Sequence, residues 1–120
     1  MWHYAQSRLV VACRAYGLRP IDGPYGDYAD THGFEAASRR AAAMGFEGKW
    51  VIHPSQVSGA NDVFAPSAAE LAYAHRVMEA MKTAQSEGRG AVSLDGKLID
   101  LVSIKMAENL LDRTGRSRTP

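Results

Sequence analysis

The chain has 120 residues, 46% of them hydrophobic and 22% charged, which suits one soluble domain and is too apolar for a disordered one. With 14 Lys and Arg against 13 Asp and Glu, its formal charge of +1 supplies no clustered positive field of the kind that nucleic acid or an anionic membrane requires. No segment approaches the roughly 20 apolar residues that span a bilayer, the N-terminus lacks signal-peptide order, and the lone Cys13 excludes an internal disulfide, so a cytoplasmic protein is expected, with Cys13 packed as a small apolar residue.

From Tyr4 to Tyr16 the apolar positions Ala5, Leu9, Ala12 and Tyr16 recur at three and four residues, which predicts a helix that buries that face and stops at Gly17. It starts almost at residue 1 with no cap before it, so the beginning is expected to be a cut. Residues 18–22 read as a short strand, followed by the Gly-, Pro- and Asp-rich loop "GPYGDYAD". Phe34, Ala37, Ala41 and Met44 then share a helical face, with Asp30 or Thr31 as cap and Gly45 as stop. Residues 49–53, "KWVIH", form an apolar run without alternation, the pattern of a strand covered on both faces, and Pro54 ends it. Helix, strand, helix, strand makes parallel pairing through a right-handed crossover the default.

"PSAAE" is a capping box, Ser67 with Glu70, opening a long helix striped by Leu71, Ala74, Met78 and Met81 that ends near Gly88. "AVSL" can pair across a "DG" turn. Leu101, Ile104, Ala107 and Leu111 line a last helix expected to stop at Gly115, and the basic tail Arg113, Arg116 and Arg118 reads as a solvated end. Two parallel strands leave two open edges, fewer strands than a sheet normally needs to stand alone.

In parallel α/β folds, ligands meet the loops after the carboxyl ends of strands. Two such loops occur, residues 22–30 and 53–59. Asp22, Asp27 and Asp30 in the first suit a metal or a hydroxylated ligand, and turn and cap chemistry accounts for them equally. His53 suits a hydrogen-bond or proton-shuttle role, or a satisfied structural one. His3, His32 and His75 are scattered without ligand spacing, so zinc is not indicated. Asp100 precedes the last helix, where capping alone is a sufficient reason for it.

Three stretches, "WHYAQSRLVVACRAYGLRPIDGPYGDYAD", "GFEGKWVIHPSQV" and "GRGAVSLDGKLIDLVSIKMAENLL", together resemble the C-terminal part of malyl-CoA lyases, in the superfamily of the citrate lyase β-subunit and the HpcH/HpaI aldolases. The resemblance runs from Trp2 to Leu111. "GKWVIHPSQ" is similar to the wider citrate-lyase-like group, whereas "RPIDGPYGDY" and "DGKLIDLVSIKMAE" resemble the malyl-CoA lyase branch more narrowly. It implies an α/β fold, the C-terminal fragment of a (β/α)8 TIM barrel comprising its last two strand units over residues 1–65. Residues 66–120 are implied to be a C-terminal helical extension that packs over a neighbouring subunit of a trimer or hexamer. A typical barrel takes about 250 residues, so the first six strands are expected to be absent and Met1 to fall inside a barrel helix.

The resemblance further implies reversible Mg²⁺-dependent cleavage of malyl-CoA to acetyl-CoA and glyoxylate, with methylmalyl-CoA as a second substrate yielding propionyl-CoA. The implied Mg²⁺ ligands lie on earlier strands, so no metal ligand is assigned here. The carboxylate base of the family falls in the "DGK.ID" segment and matches Asp100 by position, acting in an adjacent subunit's active site. Asp22, Gly23, Pro24 and Tyr25 after the seventh strand, and His53, Pro54 and Ser55 after the eighth, are implied to line the acyl-CoA pocket. The isolated chain is then expected to be inactive. The alternatives are a non-catalytic partner or oligomerisation remnant, and a relative acting on citramalyl-CoA or as a malyl-CoA thioesterase.

Overall fold

A computed structural model describes residues 2–116, a mixed α/β chain that is mostly helical. Met1 and the end of the basic tail, Arg118 included, lie outside the described residues. The chain divides into two compact units, residues 1–65 and 66–120.

The first unit opens with α1, His3–Ala15. Gly17, at φ +67, closes it, as the Leu18 amide donates to the Cys13 carbonyl at 2.8 Å. Such a left-handed closure suits glycine, which has no Cβ to clash. The buried face is not the one the apolar spacing predicts. Ala5, Leu9, Ala12 and Tyr16 are exposed, whereas Val10 is buried and Gln6, Ser7 and Cys13 are half-buried. Val10 joins Ala41 and Phe46 in the core, and the Gln6 amide donates to Asp22 at 3.1 Å, a polar contact that a count of apolar positions does not register.

Helix α2, Thr31–Met44, is capped by the Asp30 side chain and closed by Gly45 at φ +102; it buries Phe34 and Ala41, as the pattern predicts. It connects two parallel strands of two residues each, β1 (Ile21–Asp22) and β2 (Gly48–Lys49), with Ile21 opposite Gly48 and Asp22 opposite Lys49. Both are shorter than predicted. Trp50, Val51 and Ile52 are exposed, so the expectation of a strand covered on both faces is corrected. Beyond Lys49 the Trp50 amide still reaches the Asp22 carbonyl at 3.0 Å. The Ile52 amide then donates to the Gln56 side chain at 2.9 Å, and the backbone leaves the ladder for the 3-10 turn Pro54–Gln56. Helix α3, Val57–Phe64, follows directly and starts inside the stretch from 53 to 59 expected to be a loop. His53 accepts the Ser55 amide and Pro54 opens the turn, so helical geometry starts sooner than a Pro after a strand suggests.

In the second unit, α4 (Ala68–Ser86) carries the predicted capping box: Ser67 Oγ accepts the Glu70 amide at 3.2 Å and Glu70 accepts the Ser67 amide at 2.8 Å. β3 (Val92–Leu94) and β4 (Lys97–Ile99) pair antiparallel across Asp95 and Gly96, at φ +51 and +73, both residues left-handed as a tight hairpin turn requires. Helix α5, Leu101–Arg116, runs through Gly115 instead of stopping there. Ala74, Val77, Met81, Ile99 and Ala107 form this unit's core.

Glu47 is buried beside β2, and both Arg14 Nη1 and Arg19 Nε donate to its carboxylate. Burial pushes this carboxyl up, but the hydrogen bonds from Arg19 and Arg14 outweigh it and leave it below the ordinary glutamate range. Its contribution to stability is therefore complete above the ordinary glutamate value and is lost as pH falls through the folded value. Glu47→Gln should be less stable than the parent at neutral pH, and urea midpoints measured from about pH 7 down to about pH 3 should converge; a constant gap would show that the carboxylate charge is not what stabilises this turn.

Gln56 is buried with both ends used, Oε1 accepting from Ile52 and Nε2 donating to the Tyr25 carbonyl at 3.0 Å. Gln56→Ala should cost about 1–3 kcal/mol for the groups left unpaired and speed hydrogen exchange at the Ile52 amide; unchanged protection there refutes the clamp.

Candidate active site

The first unit brings the two loops that follow its strands together. Gln56 ties its own turn to Tyr25, the Ser55 hydroxyl donates to the Tyr28 carbonyl at 3.3 Å, and the Tyr28 ring stacks on His53 with centroids 4.5 Å apart and planes 20° from parallel. His53 Nδ1 accepts the Ser55 amide at 3.2 Å and lies 2.9 Å from the Ser55 hydroxyl. Accepting at Nδ1 places the proton of the neutral ring on Nε2.

Each acidic side chain of the loop after β1 is already engaged. Asp22 is buried and receives Gln6 on Oδ1 and Lys49 Nζ on Oδ2, the latter at 2.6 Å, while Lys49 also donates to the Gly23 carbonyl at 2.8 Å. Asp27 accepts the Ala29 and Asp30 amides. Asp30 accepts the Gly33 amide at 2.8 Å and the Tyr25 hydroxyl at 2.8 Å; these bonds, the amide first, hold its carboxyl below the ordinary range, and the same bond to Asp30 pushes the Tyr25 phenol up. A Cβ on Gly33 would stand 2.1 Å from Asp30 Oδ2 and 2.2 Å from the Tyr25 hydroxyl, so that bond occupies the space glycine leaves. Turn and cap chemistry thus accounts for Asp27 and Asp30, whereas the ion pair with Lys49 and the Gln6 amide account for Asp22. Among the described residues no group of three His, Cys, Asp or Glu side chains fits a metal ion.

The implied lining residues separate. Asp22, Gly23 and Pro24 border an open cleft of about 750 Å³ whose walls include Gln6, Arg40 and Lys49; Tyr25, His53, Pro54 and Ser55 are not part of its wall. Gly23 and Pro24 are exposed, and nothing lies within 4 Å of where a Gly23 Cβ would be, so the backbone there is open to approach.

In the second unit Asp100 caps α5. Its Oδ1 accepts the Val102 amide at 3.0 Å, the Ser103 amide at 3.0 Å and the Ser103 hydroxyl at 3.2 Å, and the Asp100 amide donates to Ser103 Oγ at 3.4 Å. The Ser103 amide has the largest influence on this carboxyl. With the Ser103 hydroxyl and the Val102 amide it outweighs partial desolvation and holds Asp100 below the ordinary carboxylate range, ionised at neutral pH. Nearby, Ser103, Leu98, Ile99 and Met106 border an apolar groove of about 370 Å³ between α4 and α5. Asp95, by contrast, is the first left-handed residue of the hairpin turn, and Arg76 pairs with it at 2.7 Å.

Sequence reasoning missed three participants: Lys49, Gln56 and Ser103. Only Ser103 carries a local signal, a hydroxyl residue three places after a capping Asp.

No family model matches the chain. It is 50% identical over 107 residues to L-malyl-CoA/β-methylmalyl-CoA lyase of Cereibacter sphaeroides, covering 89% of this chain and 34% of that protein. It is 40% identical over 108 residues to the mitochondrial citramalyl-CoA lyase of Rattus norvegicus, covering 90% of this chain and 32% of that one. Among solved structures it matches the CitE protein of Mycobacterium tuberculosis, in complex with magnesium, acetoacetate and coenzyme A, at TM-score 0.74 and 33% identity over 94% of this chain and 41% of that chain. The chain thus spans about a third of the length of these curated relatives. By sequence and structure together the chain matches the C-terminal part of malyl-CoA lyases, with citrate lyase-like structural relatives.

Proposed function

We propose that the chain is the C-terminal part of a Mg²⁺-dependent carbon–carbon lyase that reversibly cleaves malyl-CoA to acetyl-CoA and glyoxylate, and β-methylmalyl-CoA to propionyl-CoA and glyoxylate. The observation that carries this reading is the 50% identity over 107 residues to a lyase named for these two substrates. The lower figure for the citramalyl-CoA lyase, 40%, ranks citramalyl-CoA second.

Residues 1–65 are the last two strand–helix units of a (β/α)8 barrel in this reading. Its support is the parallel pairing of β1 and β2 around α2 and the exposure of Trp50, Val51 and Ile52, side chains that further strands would cover. Residues 66–120 are the extension, reaching over a neighbouring subunit of a trimer or hexamer. The exposure of Leu98, Leu101, Val102 and Met106 beside Asp100 supports a protein surface there. The same exposure favours the second reading, a non-catalytic module that docks on a fuller homologue.

Asp100 is the base. Its ionised carboxylate takes a proton from the methyl carbon of the acetyl thioester, and the electron pair left on that carbon attacks the glyoxylate carbonyl carbon; as the new carbon–carbon bond forms, the carbonyl π pair moves onto oxygen, which takes up a proton to become the malyl hydroxyl, and cleavage runs the same steps backwards. Asp22, Gly23, Pro24, Tyr25, His53, Pro54 and Ser55 shape the acyl-CoA pocket, with the Tyr28–His53 stack as an exposed flat surface beside them. The described residues do not fit Mg²⁺, whose ligands in this reading belong to the part of the enzyme outside this chain.

The 120-residue chain given Mg²⁺, acetyl-CoA and glyoxylate should form no malyl-CoA by mass spectrometry; product formation overturns the reading of a partial enzyme. Joined to the N-terminal two thirds of a malyl-CoA lyase, the parent chain should complete an active enzyme, and Asp100→Asn should lower turnover about 10²–10⁴-fold with an unchanged thermal melt. Near-normal turnover of that variant removes Asp100 from the role of base and leaves it as a cap.

A further inference from the structure

We infer that Ser103 is the positioning residue for Asp100: it fixes the carboxylate so that Oδ2 is the oxygen offered to the substrate. This deepens the proposed function and rests on Asp100 being the proton acceptor.

The molecule contains two boxes of opposite polarity at helix starts. At α4 the cap is a hydroxyl, Ser67, and the carboxylate stands three residues on, at Glu70. At α5 the order is inverted. The carboxylate, Asp100, is the cap, and the hydroxyl, Ser103, stands three residues on. In the ordinary order the carboxylate folds back on the cap, and Glu70 Oε2 accepts both the Ser67 amide at 2.8 Å and the Ser67 hydroxyl at 2.7 Å. In the inverted order the carboxylate is itself the cap, and the amides of the first turn join the hydroxyl on its Oδ1.

Ser103 meets Asp100 at three points: amide to Oδ1 at 3.0 Å, hydroxyl to Oδ1 at 3.2 Å, and Asp100 amide to hydroxyl oxygen at 3.4 Å. Three donors therefore converge on Oδ1 once the Val102 amide is counted. No hydrogen bond to Oδ2 occurs among the described residues. A capping Asp needs only the backbone amides. The hydroxyl adds a contact at the side of the carboxylate that opposes rotation about its last torsion, and that rotation would exchange the free oxygen for the bound one. A Glu at position 103, as at Glu70, would instead set a second negative charge against Asp100 and favour its protonated form. Serine positions the acid without neutralising its function.

The test uses Ser103→Ala, which keeps both amide donors and therefore the helix start, and Ser103→Thr, which keeps the hydroxyl. In the 120-residue chain, ¹³C NMR titration of the Asp100 carboxyl should move up towards the ordinary carboxylate value in Ser103→Ala and return in Ser103→Thr. In the completed enzyme, Ser103→Ala should lose roughly tenfold in kcat, with KM nearly unchanged, because a misaligned base and not weaker binding is the defect. The acid limb of the kcat profile should move to higher pH, since a base whose pKa rises needs less acid to be silenced. An Asp100 titration and an acid limb that both stay in place overturn the inference. If Asp100→Asn is inactive while Ser103→Ala matches the parent, Ser103 alone is wrongly assigned; if Asp100→Asn is active, the base assignment has failed as well.

Discussion

Asp22 and Lys49 face each other across a parallel ladder only two residues long, their side chains 10% and 5% exposed, with Lys49 Nζ 2.6 Å from the carboxylate. Two short strands do not hold themselves together, and burying two charges costs free energy that their attraction repays only when every remaining polar group is also met. Here that condition is fulfilled. Gln6 reaches the other carboxylate oxygen from α1, and Lys49 spends a second proton on the Gly23 carbonyl. One pair thereby joins a helix, both strands and the start of the loop that carries Gly23, Pro24 and Tyr25. Without Lys49, a carboxylate would remain buried with only an amide for a partner, and the strand ends that direct both loops would have no common anchor.

The two units reach order by different means. The first depends on buried polar groups: the Asp22–Lys49 pair, Glu47 between Arg14 and Arg19, and the Gln56 amide between Ile52 and Tyr25. Its apolar core is small, Val10, Ala41 and Phe46 with Met44 and Phe64 against it. In the second the core is aliphatic, with α4 and α5 over a hairpin, and the polar apparatus lies at the helix starts. Directional bonds suit a region that must hold loops in register, whereas non-directional packing suits a platform that presents one carboxylate.

How much was legible follows from this difference. The second unit's capping box, hairpin turn and Asp100 cap are local patterns within four residues, and they appear as the spacing predicts. In the first, α2 is equally plain, because its apolar face and its glycine stop coincide. Apolar spacing points to the wrong face of α1, since Gln6 is held by an aspartate sixteen residues away and periodicity weighs only apolarity. Residues 49–53 read as a covered strand from their hydrophobicity alone; exposure of Trp50, Val51 and Ile52 depends on which neighbours are present, and composition does not state that. α3 is not visible in the pattern, because Pro54 reads as an end although it also begins a turn. The acidic loop gave a correct alternative without a means of choosing, as Asp27 and Asp30 bond to amides two and three residues on, but Asp22 bonds across 27. The lining roles of the seven loop residues rest on resemblance; the geometry alone puts Asp22, Gly23 and Pro24 in a cleft wall and His53 in a ring stack with Tyr28.

Gly33 sits on α2 with the Tyr25–Asp30 bond filling the volume a methyl group would need. Positions 25, 30 and 33 are therefore not independent. A larger residue at 33 is compatible only with a shorter or displaced partner at 25 or 30, and a phenol at 25 is useful only while 33 stays bare. Viewed as inheritance, the three form a single letter of this loop's alphabet, to be exchanged together or kept together, even though they are spread over nine places in the chain.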